Sequence, residues 1–254
     1  MKQLRVLAAG YGKFNQYKTD EDNPAYKVAQ AFKEEFLAGD TDKVEVKGYS
    51  ITVPVVWDKA WPTIKQAVDD IQPDVLICMG AAGETKFERM ARNEALTSAL
   101  DADDKCFDKP YVVDHPSRVS SLRSSNNSWT RDKVSPDYEN NKALAVYADD
   151  TPTPYFFPTT LPCDYLEKKM NNSSNSNILK VNYAFNELSF DAGDYLCNLA
   201  FYMPSLLLHG KVAFNGFLHL APNKTEEEYS ETGKFIFHEL AVWLQRNYIR
   251  EARS

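Results

Sequence analysis

The stretch Asp74–Met79 is a continuous apolar run of strand length, with Pro73 before it and Gly80 after it. A strand without polar alternation has both faces covered, as happens inside a parallel sheet with helices on each side. The flanking sequence carries the matching pattern. Leu4–Ala9 reads as a second buried strand, and Val44–Val55 is β-branched and partly alternating, enough for one or two more. Between them, Asn23-Pro24 opens a helix with Val28, Phe32, Phe36 and Leu37 on one face and Gly39 closing it. Trp61, Ile64, Ala67, Val68 and Ile71 give Trp57–Ile71 a helical period, and Phe87–Leu100 reads as a further helix. Strand and helix in alternation predict an α/β fold: a three-layer α/β/α arrangement around a twisted, mainly parallel sheet with right-handed crossovers.

The 254 residues suffice for one large domain with a sizeable core, and residues 1–254 are read as that single domain. From Asp101 to about Pro154 the periodicity fails, and Asp, Ser, Asn, Pro and Lys dominate; this predicts an irregular insertion at 101–154 beside the site mouth. Order resumes with a short helix at Leu161–Met170, an alternating strand at Ile178–Phe185, and a long amphipathic helix at Thr225–Arg250. A net charge of −7 with no basic stripe argues against nucleic acid as a partner. No apolar run reaches membrane-span length, and Arg5 interrupts the opening segment, so neither a membrane nor a signal peptide is expected and the chain is read as cytoplasmic. The four cysteines, at 78, 106, 163 and 197, are widely spaced and are expected as free thiols.

Two weaker motifs lead nowhere. Gly10-Tyr11-Gly12 lacks the third glycine of a dinucleotide turn, since Asn15 stands there. His238-Glu239 lacks the second histidine of a zinc protease helix. A third stretch carries chemistry. In Ser189–Asn198 a polar turn with Ala192-Gly193 runs into the apolar helix Tyr195–Leu208, which puts Cys197 within its first two turns. Unpaired N–H groups and the helix dipole there favour a thiolate. Phe214–His219 reads as a buried strand with a histidine at its end, the partner a thiol nucleophile needs. Taken alone, such a cysteine is more often plain core, and Glu88 is by spacing a surface helix carboxylate.

Taken together, these pieces resemble one family. Ala192-Gly193-Asp194-Tyr195-Leu196-Cys197-Asn198 is similar to the nucleophile motif of type I pyroglutamyl peptidases (pyrrolidone-carboxylate peptidases), Ala-Gly-x-Tyr-Leu-Cys-Asn. Gly216-Phe217-Leu218-His219 resembles their Gly-Phe-Ile-His, and Glu88-Arg89-Met90-Ala91-Arg92-Asn93 their Glu-Arg-x-Ala-x-Asn. The likeness continues in family order through Asn23-Pro24, Val53-Pro54-Val55-Val56, Gln72-Pro73-Asp74 and Thr160-Leu161-Pro162. It implies a Cys–His–Glu triad with Cys197 as nucleophile, His219 as base and then acid, and Glu88 as the group that orients the ring. The implied reaction is hydrolysis of the bond after an N-terminal pyroglutamyl residue through a thioester, on pyroglutamyl peptides, with no cofactor and no metal. Homo-oligomers are common in the family. Tyr11 and Phe14 fall on its two aromatic positions after the first strand and are expected as substrate-binding walls.

The chain also departs from the pattern. Lys13, Asn15 and Gln16 replace the proline and the glycine pair of the family's first turn, and the 81–87 loop is short. Thr97–Ala102 contains no arginine, although the family has one there. These changes keep two alternatives open: a thiol hydrolase of altered specificity on the same scaffold, or a catalytically silent small-ligand or peptide-binding protein.

Overall fold

The computed structural model describes residues 2–33, 35–37, 44–114, 141–149, 151–181 and 192–251. In chain order the first half gives β1 (Lys2–Tyr11), α1 (Pro24–Gln30), β2 (Phe36–Leu37), β3 (Val44–Val53), α2 (Trp57–Ile71) and β4 (Val75–Ala81). Six short strands follow: β5 (Lys86–Glu88), β6 (Met90–Arg92), β7 (Ala95–Leu96), β8 (Tyr111–Val113), β9 (Asn141–Lys142) and β10 (Ala145–Tyr147). The chain then runs through β11 (Phe156–Pro158), α3 (Cys163–Asn171), α4 (Leu196–Leu207), β12 (Phe214–Leu220) and α5 (Glu226–Glu251).

The main sheet has the order β2-β3-β1-β4-β12-β5. Its inner joins, β3 to β1, β1 to β4 and β4 to β12, are parallel, and both edge strands pair antiparallel. Val75–Met79 are 0% exposed, which is why that run carries no polar residue. Helices α1 and α5 pack together on one side of the sheet, and α2 and α4 on the other, giving the expected three layers. Close approach on the α1 side requires small residues: a Cβ at Gly10 would sit 2.3 Å from the Ala25 carbonyl oxygen. Among the described residues no helix is long and apolar enough to cross a membrane.

Helix α1 begins as expected, with the Asn23 side chain accepting from Ala25 N and Pro24 in the first turn. It stops at Gln30, however, and Phe36 and Leu37 leave it to pair antiparallel with Lys47 and Val46 of β3. The exposed edge of β3 offers unpaired N–H and C=O groups, and this pairing satisfies them. Gly39, the expected stop, lies outside the described residues. Helix α2 runs over the expected span and is capped from a distance: Asp101 Oδ2 accepts from Trp57 N at 3.0 Å.

The expected helix at Phe87–Leu100 is a correction. The segment is three short strands, each paired with a different partner: β5 with β12, β6 with β11 and β7 with β9. Phe87, Ala91 and Ala95 are buried at four-residue spacing, which imitates a helical period. The backbone bends between the three pieces, so each buries its own residue against a separate neighbour. Glu88 therefore lies on a strand, and the surface-helix reading of it is overturned.

The expected strand at Ile178–Phe185 is also absent where it is described. Ile178, Leu179 and Val181 are buried, but their stretch is irregular. Side chains satisfy its backbone: Leu179 N donates to Thr232 Oγ1, and Asn171 both accepts from Val181 N and donates to Val181 O. Residues 182–185 lie outside the described residues. Of the 101–154 stretch expected as an irregular insertion, residues 101–114, 141–149 and 151–154 are described, and they carry β8 paired parallel with β10.

Candidate active site

Cys197 is the second residue of α4, preceded by Tyr195 in extended conformation at the cap position and by Gly193 at φ +83°. That positive φ is one that glycine adopts without strain, and it turns the chain sharply into the helix. The first-turn N–H groups have no partner inside the helix, so the sulfur lies at the positive end of the α4 dipole. The other wall of its slot is the end of β4. A Cβ built on Gly80 would come 2.8 Å from Cys197 Sγ and 2.9 Å from the Phe217 ring.

Parallel pairing sets His219 of β12 beside Gly80 of β4. The ring is fixed on several sides. Its centroid is 4.9 Å from that of Phe217, its Nδ1 is 2.5 Å from Glu88 Oε1, and Cys197 stands close enough to act on its charge. Since Glu88 occupies Nδ1, the remaining ring nitrogen serves the sulfur. Glu88 is 1% exposed and belongs to β5, the antiparallel neighbour of β12; Lys86 on the same strand reaches its Oε1 at 3.3 Å. The three residues expected as a triad thus come from α4, β12 and β5 and are brought together.

Burial pulls the His219 pKa down, but the charge and hydrogen bond of Cys197, followed by those of Glu88, outweigh it and raise the pKa to about 9. Burial, with the Cys197 charge behind it, pushes the Tyr11 hydroxyl and the Cys78 thiol well up. Cys163 is pushed to about 12, again chiefly by burial. All four cysteines are free, and these two buried ones remain protonated and inert.

The two expected wall aromatics take different positions. Phe14 is partly exposed, and its ring lies 5.8 Å from that of Tyr195. Tyr11 is 4% exposed, and its hydroxyl donates to the Leu196 carbonyl at 2.5 Å, so it stands beneath the start of α4. Tyr195 continues an aromatic row through Trp57, at 5.2 Å, to Phe107, a further 4.9 Å on. Its hydroxyl donates to the Leu100 carbonyl. The Arg92 side chain lies beside Glu94 and Asp194, on the approach to α4.

Sequence reasoning passed over four residues here: Lys86, Gly80, Asn198 and Tyr195. Asn198 and Tyr195 stand inside the quoted cysteine motif, which could have marked them. Nothing in the spacing marks Lys86, because its role depends on a strand pairing that the helical period concealed. Among the described residues no group of three or more His, Cys, Asp or Glu could hold a metal ion.

A thiol at a helix start, an imidazole beside it, and a buried carboxylate on one ring nitrogen together form the arrangement of nucleophilic acyl transfer. Comparison with known proteins agrees with that chemistry. A family model described as pyroglutamyl peptidase matches residues 4–121, which include Glu88. The pyrrolidone-carboxylate peptidase of Bacillus mycoides is 25% identical over 221 residues, covering 85% of this chain and 77% of its own. That of Bacillus cytotoxicus is 26% identical over 224 residues, with the same coverage. Among solved structures, pyroglutamyl peptidase I from Bacillus amyloliquefaciens superposes with a TM-score of 0.63 at 18% identity, over 95% of this chain and 96% of its own. Pyrrolidone carboxyl peptidase from Pyrococcus furiosus gives 0.62 at 21% identity, over 95% and 100%. At these identities the structures establish a shared fold, and the family model and the curated relatives agree in making the chain similar to pyroglutamyl peptidases.

Proposed function

We propose that this protein is a cysteine-type exopeptidase that removes N-terminal pyroglutamate from peptides. The observation that carries the reading is the line Cys197–His219–Glu88, with the 2.5 Å contact between His219 Nδ1 and Glu88 Oε1 fixing which ring nitrogen faces the sulfur. Cys197 Sγ attacks the carbonyl that follows the pyroglutamyl ring. The oxyanion forms at the first turn of α4, where backbone N–H groups point outward. His219 gives its proton to the departing amine, leaving a thioester and a neutral imidazole. That imidazole then takes a proton from water, whose oxygen attacks the thioester carbonyl, and Cys197 is released as pyroglutamate departs. Glu88 holds the ring's tautomer and supports its positive charge. None of these steps uses a metal or an organic cofactor.

Phe14 supplies an apolar wall for the flat lactam ring, while Tyr11 supports the helix start below it. A pocket of this kind favours pyroglutamyl over prolyl peptides. Proline lacks the ring carbonyl and brings a charged amine that would have to lose its water. We assign the protein to a reducing compartment, the cytoplasm, in keeping with its four free thiols.

The test is a paired assay with pyroglutamyl- and prolyl-aminomethylcoumarin. Cleavage of the first with strong preference over the second supports the assignment. If neither is cleaved while Cys197 still reacts with iodoacetamide, the peptidase reading gives way to a thiol hydrolase of altered specificity or a catalytically silent binding protein.

A further inference from the structure

Lys86 and Glu88 stand two residues apart on β5, so their side chains leave the same face of the strand. The antiparallel register places Lys86 directly opposite His219 and Glu88 opposite Phe217. Both cationic side chains converge on one atom: Glu88 Oε1 lies 2.5 Å from His219 Nδ1 and 3.3 Å from Lys86 Nζ. The Lys86 side chain is 17% exposed and that of Glu88 1%, so this is not a solvated surface pair.

We propose that Lys86 is a positioning residue completing the Cys197–His219–Glu88 line: it holds Glu88 Oε1 and neutralises its charge while the imidazole releases and regains its proton. The proposal rests on the peptidase reading above. Counting charge through the cycle shows what Lys86 adds. In the ion-pair form that attacks, with thiolate, imidazolium, carboxylate and ammonium, the cluster is neutral. In the thioester state sulfur and imidazole are both uncharged, and the buried carboxylate has Lys86 as its cation. Without Lys86 the cluster carries one net negative charge in both states. In the thioester state that charge would be a buried carboxylate with no cation beside it, which is costly. Lys86 also opposes the pull of Glu88 on the ring proton, which eases its transfer to the leaving amine.

Among the described residues, the other ionisable groups on this cluster are Cys197 of α4 and, around the sulfur, Tyr11 of β1, Cys78 of β4 and Tyr195. Burial, foremost, keeps the last three uncharged. Arg89, next to Glu88 in sequence, is paired with Glu167 and Asp164 of α3 instead.

Lys86→Met removes the ammonium and keeps most of the stem. The His219 ring then stays protonated to higher pH. Its Cε1–H resonance, assigned by its loss in His219→Ala, should titrate about one pH unit higher than in the wild type. On pyroglutamyl-aminomethylcoumarin at pH 7, kcat should fall about tenfold with KM held within about twofold. Lys86→Arg keeps the cation and should return both readings toward wild type. Lys86→Gln gives a second neutral variant should the methionine protein not fold. An unmoved His219 midpoint in a folded neutral variant overturns the proposal. Should the wild type cleave no pyroglutamyl substrate, the peptidase reading fails, but the ring titration needs no substrate and still decides the part Lys86 plays.

Discussion

Asn198 and Arg92 are joined by a two-way amide contact: Asn198 Oδ1 accepts from Arg92 N at 2.9 Å, and Asn198 Nδ2 donates to Arg92 O at 2.7 Å. The same Nδ2 also donates to Glu94 O at 2.8 Å, and the residue is 0% exposed. Cys197 precedes Asn198 directly, so the start of the nucleophile helix is tied to the β6–β7 segment through three buried bonds. Asn198→Ala leaves those backbone groups unpaired and should cost at least about 2 kcal/mol of stability in urea unfolding. A loss below about 0.5 kcal/mol would show that water replaces the amide freely.

Gly80 and Cys197 share a slot with no room for a methyl group. The Cβ of Gly80→Ala would meet Sγ at 2.8 Å, and the Phe217 ring leaves little space to yield. Displacing the sulfur upsets attack geometry, so hydrolysis should fall at least about tenfold. Iodoacetamide labelling of Cys197 should slow with it. Full activity in this variant would mean that the slot is looser than drawn.

The His219 shift sets the sign of the pH dependence. Its pKa is raised from 6.5 to about 9, so the ring is protonated at neutral pH and loses its proton as pH rises through about 9. The thiolate–imidazolium pair ends there, and kcat/KM should decline above that pH. The linked stability follows the same sign: it is fully present below pH 6.5 and lost through about 9. Glu88→Gln removes a negative charge that raises the ring pKa, so the alkaline limb should move to lower pH. A limb in the same place would detach Glu88 from the ring.

Tyr11 and Phe14 should separate kinetically. Tyr11→Phe deletes only the hydroxyl that holds the Leu196 carbonyl, so kcat should drop several-fold with KM nearly unchanged. Phe14→Ala removes the ring proposed as the pocket wall, and KM for a pyroglutamyl substrate should rise about tenfold. The reverse pattern would exchange their roles.

The sheet was legible in the sequence because its central strands are buried on both faces, and burial alone dictates an unbroken apolar run such as Val75–Met79. Cys197 and His219 could be placed because one opens an apolar helix and the other ends an apolar strand. Glu88 could be named only through the family motif. Its local spacing copies a helix, and its partner His219 stands 131 residues away on β12. Lys86 stayed hidden for the same reason. The early end of α1 was illegible because an edge strand elsewhere in the chain claims Phe36 and Leu37. Local pattern reports what is buried; which strand lies alongside is decided by distant sequence.

The central claim is that Cys197 forms the thioester. The most direct measurement is hydrolysis of pyroglutamyl-aminomethylcoumarin by wild type and by Cys197→Ala, with unfolding curves confirming that both are folded. Turnover by the wild type and a loss of at least about a thousandfold in the variant are expected, since members of a catalytic triad act as a unit. Equal rates from the two proteins would contradict it.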